Sequence, residues 1–190
     1  IINEEKAFSN RSFGLNDENV ANLIDELRAK RIELLDAPKY SANLQWRQAR
    51  VLALMNRKYE AYFAYLRLIE EYSDHKHIEQ FHYATFIQSI ECEYFKEAVT
   101  LGEKYLSDPS YILFEKPIAI HMAGLYSRFG EVEKLSQLAD SFLHRFPFDR
   151  VAAQVCHFLG QTLFTKGMVE RIVNDFPAWT AEYPDGAFVD

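Results

Sequence analysis

Four side chains able to hold a metal crowd one short stretch: His75, His77, Glu79 and His82. Glu79 and His82 stand at the i, i+3 spacing that di-iron bundles use, which points two ligands from one helix face. Such a centre needs a second motif of that kind and two further Glu on facing helices, and the sequence supplies neither. Lys76, between two of the histidines, opposes a bound cation. The stretch is therefore expected to be a solvated polar helix start, with no metal and no cofactor. His121, His144 and His157 stand singly, without a Ser or Cys partner at an interpretable spacing. His144 suits a cation near a helix C-terminus, where the dipole favours positive charge. Glu91, Glu93 and Glu97 read as a solvated turn, or else as a docking patch for a basic partner. Cys92 and Cys156 form no Cys-x-x-Cys pair and are too few for a disulfide scaffold. Each falls in a helical stretch as a small buried hydrophobe. No Gly-rich phosphate loop ending in Lys-Ser or Lys-Thr, no Gly-x-Ser-x-Gly and no His-Glu-x-x-His occurs. The expectation is a chain that is not an enzyme.

The elements that would position these residues are helices. Fifteen Phe and eleven Tyr meet only seven Gly and six Pro in 190 residues, so bulky residues are many and breakers few. No sustained apolar/polar alternation and no Asn-Gly or Asp-Gly hairpin signal occurs. With 28 acidic against 21 basic side chains the net charge is −7. That balance repels phosphate backbones, so nucleic acid is not the expected partner, although it does not exclude a local basic patch. No apolar run approaches the eighteen or so residues of a membrane span. The chain starts Ile1-Ile2 rather than with Met, which leaves open an upstream signal, anchor or domain. The compartment stays open with it: the cytoplasm, or the periplasm if a signal or anchor was removed.

The second half of the sequence repeats. Gly130 and Gly167 are 37 residues apart, as are Pro147 and Pro184, and one amphipathic helix-length stretch lies between each Gly and its Pro. A period of this size marks stacked helical hairpins, each too small to bury its own apolar face. Residues 1–14 read as an irregular arm and 15–190 as one solenoid domain. A first helix, capped by Asn16 or Asp17, carries Val20, Leu23, Ile24, Leu27, Leu34 and Leu35 as a stripe to about Asp36. Four pairs follow, at about 41–74, 76–109, 112–147 and 149–184. Pro117 falls at a helix start, where its missing N–H costs little. Pro177 falls inside the last helix, and a kink or break is expected there.

The pairs resemble tetratricopeptide repeats. The fourth carries Leu159-Gly160, Leu163, Gly167, Phe176 and Pro184. The third carries Met122-Ala123, Tyr126, Gly130, Phe142 and Pro147. The second offers Ala98, Gly102, Tyr105 and Pro109, with Phe86 in the small-residue slot. The first keeps Trp46, Ala49 and Tyr59, with Asp74 where Pro is expected. Arg145-Phe146-Pro147 and Glu182-Tyr183-Pro184 resemble a bacterial subgroup whose repeats close on an aromatic and Pro, and which includes envelope-assembly lipoproteins. The resemblance implies an all-α fold of about nine helices, a right-handed superhelix of stacked antiparallel pairs. It also implies a protein or peptide partner in a concave groove lined by the first helix of each pair.

The inward slots of that family map to Arg47, Val51 and Leu54 in the first repeat and to Gln80, Tyr83 and Ile87 in the second. They map to Ser127 and Arg128 in the third and to Gln154, His157 and Gln161 in the fourth. Arg suits carboxylates, Tyr supplies rigid amphipathic area, and Gln bonds extended backbone. Family members that grip the acidic tails of heat-shock chaperones place Asn where Val51 and Ile87 stand, and only Arg47 fits their pattern. A co-chaperone of that kind is not expected. The expected function is a non-catalytic scaffold or adaptor. The alternatives are a regulatory or substrate-recruiting domain cut from a larger enzyme or signalling protein, and a homodimer built on the aromatic surface.

Overall fold

The computed structural model describes residues 17–36 and 40–187. The arm expected at 1–14 and the capping residue Asn16 lie outside them. The described residues hold nine α-helices and no strand. The chain divides into two units, residues 1–41 and 42–190. In the first, α1 (Asp17–Asp36) runs uninterrupted and bears Val20, Leu23, Ile24 and Leu27 at helical spacing.

The second unit contains four helix pairs: α2 (Ser41–Leu54) with α3 (Lys58–Glu71), α4 (Ile78–Glu91) with α5 (Phe95–Ser107), α6 (Glu115–Phe129) with α7 (Val132–Arg145), and α8 (Arg150–Thr165) with α9 (Val169–Glu182). Each helix packs on the next in sequence, and α6 also packs on α8, so the pairs stack as in a helical solenoid. Pro117 is the third residue of α6, as its missing donor allows. Of the kink or break expected at Pro177 the break does not occur: α9 runs on through it. The carbonyl it orphans belongs to Val173, which is exposed along with Pro177, so water can replace the lost bond.

The 37-residue period holds through all four pairs, not only the last two. Asn56, Glu93, Gly130 and Gly167, each 37 on from the one before, end the first helices with φ of 58°, 61°, 69° and 71°. In each turn the following N–H donates to a carbonyl five residues back: Arg57 to Leu52 at 3.0 Å, Tyr94 to Ser89 at 2.8 Å, Glu131 to Tyr126 and Met168 to Leu163 at 2.9 Å. These are Schellman caps, and two of them lack the glycine that reveals the motif in sequence. A side chain in the left-handed region costs about 1–2 kcal/mol, while a glycine there loses about 0.4–1 kcal/mol through the unfolded chain. Glu93→Gly is therefore expected to stabilise the protein by about 0.5–1 kcal/mol. A rise in the urea midpoint at constant slope would show it; a fall would mean that Glu93 holds something its backbone does not account for.

Helix crossings inside the pairs are filled by exchange of volume. Gly160 of α8 faces Phe176 of α9, whose Cζ would lie 3.3 Å from an added Cβ. The same crossing in the second pair is reversed, with Phe86 on α4 and Gly102 on α5. Phe86 thus occupies a small-residue slot because its partner position gave up its side chain.

Neighbouring pairs are stitched at nearly the repeat distance. Lys134 Nζ donates to Glu103 at 2.7 Å, 31 residues away, and Lys166 Nζ to the Gly130 carbonyl at 2.6 Å, 36 away. Arg171 Nη2 donates to Ser136 Oγ at 3.0 Å, 35 away. Within the third pair, Arg145 of α7 forks onto Glu115 of α6, a nearly buried carboxylate, with Nη2 to Oε2 at 2.9 Å. Asp149 pairs with Lys116 and also accepts from Val151 N at 2.9 Å to cap α8. Lys116 first, then that cap, hold the Asp149 carboxyl below the ordinary carboxylate range. Most of these links are exposed and individually weak, so they select the stacking register more than they add stability.

Candidate interaction face

The residues with metal-ligand chemistry are occupied by the fold. Glu79 Oε2 accepts from Tyr105 Oη at 2.5 Å and from Leu113 N at 2.8 Å, tying the start of α4 to the end of α5 and the loop beyond. His82 is buried against Tyr111, with ring centroids 5.2 Å apart. Burial, and then Lys104, hold its imidazole below the ordinary range, which favours the neutral ring. His75 stacks on Phe81 and accepts from His77 N through Nδ1 at 3.2 Å. Among the described residues no three His, Cys, Asp or Glu are grouped to hold a metal. The expectation of a solvated helix start is thus corrected for Glu79 and His82, which are structural. Cys92 and Cys156 are buried free thiols, and burial pushes the Cys156 thiol up to about 12.

The first helices of the pairs share a face marked by open cavities. One, of about 400 Å3, is walled by Trp46 and Arg50 of α2, Gln80, Tyr83 and Ile87 of α4, and Phe114 ahead of α6. Tyr83 stacks face to face on Phe114 with centroids 4.4 Å apart, and Trp46 tilts onto Tyr65 at 5.3 Å and Phe81 at 5.4 Å. These ring contacts brace the walls against one another. A second, of about 260 Å3, is lined by His121, Gly124 and Arg128 of α6 with Phe158 of α8. The Arg128 guanidinium lies over the Phe95 ring at 4.1 Å, a cation–π contact that orients it. A third, of about 620 Å3, shares Ile120 and Phe158 with the second and adds Gln154 and His157.

The residues expected to line this face fall into five places. Gln80, Tyr83 and Ile87 come together in the first cavity, Arg128 lies in the second, and Gln154 and His157 lie in the third. Ser127 and Gln161 instead meet near the ends of α6 and α8, in a recess of about 390 Å3 with Lys166, where Ser127 Oγ accepts from Thr162 Oγ1 at 2.7 Å. Arg47, Val51 and Leu54 are exposed on α2 outside the first cavity, whose α2 walls are Trp46 and Arg50. Trp46, Tyr83, Ile120 and His157 are equivalent positions 37 residues apart, as are Arg50, Ile87, Gly124 and Gln161. Carrying the period through the first two pairs would have placed Trp46 and Arg50 on the face from sequence.

Comparison with protein-family models, curated proteins and solved structures finds no match for the chain. Function has to be argued from the face itself. Its walls combine fixed aromatic area, primary amides and guanidinium groups, which suits recognition of another chain. Among the described residues no helix is long and apolar enough to cross a membrane.

Proposed function

We propose that this chain is a tetratricopeptide-like interaction module that binds a protein partner's peptide or helix along the face of its first helices, without catalysing a reaction. The observation that carries the reading is the cavity between α2 and α4. It is open, mainly apolar and aromatic, and its few polar groups (Arg50, Gln80, Gln88) converge from different helices. A peptide side chain seated there would be held by preorganised rings, and its backbone by the amides. Trp, Tyr and Arg are the residue types on which binding energy usually concentrates.

The test is affinity capture by the tagged chain from its native cell, beside a chain carrying Tyr83→Ala and Arg128→Ala. Each substitution is expected to weaken a true partner about tenfold or more, the loss typical of a hot-spot side chain. Partners retained equally by both chains would overturn the assignment of the face.

A further inference from the structure

We infer, resting on that reading, that the partner segment is acidic: an extended peptide in which Asp or Glu alternate with bulky apolar residues. The basis is how this chain distributes its charge. Acids outnumber Lys and Arg 28 to 21 in the sequence, yet the charged residues lining the four cavities along the first helices are Arg50, Arg128 and Lys166, with no Asp or Glu among their described lining residues. The recess on the second-helix side differs in mixing the two signs, with Glu131 between Lys96 and Lys134.

The acids that the first helices carry are already engaged. Glu79 accepts from Tyr105 and Leu113, Glu91 pairs with Lys58 at 3.4 Å, and Glu115 is gripped by Arg145. Arg50 and Arg128 have no carboxylate partner among the described residues; Arg128 meets only a ring. The face therefore offers positive charge beside apolar recesses, while the remaining surface is net negative. An acidic segment is drawn to that face and repelled elsewhere.

Single-stranded nucleic acid is also anionic, but it needs open aromatic faces for its bases to stack on. In the cavity between α2 and α4 the rings are spent on each other: Tyr83 on Phe114, Trp46 against Tyr65 and Phe81. The net charge of −7 further disfavours a long phosphate chain. A peptide places a single carboxylate beside each Arg and an apolar side chain in each recess.

The test is selection from a displayed library of random peptides, about a dozen residues long, against the full chain, followed by sequencing of the bound set. Asp and Glu should be enriched several-fold over Lys and Arg. Selection against Arg50→Glu with Arg128→Glu should reverse that bias; these are surface changes, and an unchanged melting curve would show the fold intact. Arg50→Gln with Arg128→Gln should abolish the bias without reversing it. Half-molar salt should weaken a selected peptide about tenfold or more, because the Debye length then falls to a few ångströms. Peptides without charge bias whose binding is lost with Tyr83→Ala would sink the acidic class and leave the face standing. Peptides indifferent to Tyr83, Gln80 and both Arg would sink the face as well. Displacement of selected peptides by a single-stranded RNA oligonucleotide that binds more tightly would overturn the peptide in favour of nucleic acid.

Discussion

Gly102→Phe is expected to cost at least about 3 kcal/mol, the upper part of the range for overpacking a closed core. An added Cβ would stand 2.9 Å from Met122 Cγ and 3.0 Å from Phe86 Cε2, and both neighbours are fully buried. Alanine at the same place would regain up to about 1 kcal/mol of helix propensity and still require Met122 to move. The sharper experiment exchanges the two positions. Phe86→Gly alone leaves a cavity and should cost about 3–5 kcal/mol. The double variant Phe86→Gly, Gly102→Phe rebuilds the arrangement seen at Gly160 and Phe176. It should be more stable than the sum of the single costs by about 1–3 kcal/mol, because the new ring enters the volume the old one left and Met122 can adjust around it. Urea unfolding of the four proteins measures this, and strict additivity would show that the two crossings are not equivalent.

This exchange also shows what the sequence could and could not disclose. The helices and their pairing were legible, because Leu135, Ala139, Phe142 and Leu143 recur at helical spacing and all four are buried. The last two turns were legible through Gly130 and Gly167. The first two were hidden because Asn56 and Glu93 accept the left-handed conformation without the residue that advertises it. Phe86 looked like a departure from the repeat, since a compensating change on a different helix cannot be seen in a linear pattern of slots. The slots on α2 were shifted for a related reason. Arg47 was placed by family pattern, whereas the constant 37-residue step selects Trp46 and Arg50. Glu79 and His82 looked like a solvated helix start because their contacts run to Tyr105, Leu113 and Tyr111, 26 to 34 residues on, where periodicity carries no information.

Tyr105 is where those long-range bonds converge, and its removal is the second large effect. The side chain is 1% exposed, and its ring packs on Tyr111 with centroids 5.0 Å apart. Its hydroxyl donates to Glu79 and accepts from Phe114 N at 3.0 Å. Burial first, then Glu79, raise its pKa well above the ordinary tyrosine value, so it remains a donor throughout the useful pH range. Tyr105→Ala removes both the ring and the bonds, and about 3–5 kcal/mol of stability should be lost. Tyr105→Phe separates the two contributions. It keeps the ring but leaves the Phe114 N–H and one Glu79 bond unmet, at about 1–3 kcal/mol. Glu79 also holds Leu113, so the phenylalanine variant should loosen the loop ahead of α6, raising amide exchange at Leu113 and Phe114 more than in α8. Phe114 is the ring on which Tyr83 stacks. On the proposed reading, affinity for a selected peptide should therefore fall in Tyr105→Phe although Tyr105 lies outside the cavity, and affinity unchanged beside lowered stability would separate the hydroxyl network from the proposed face.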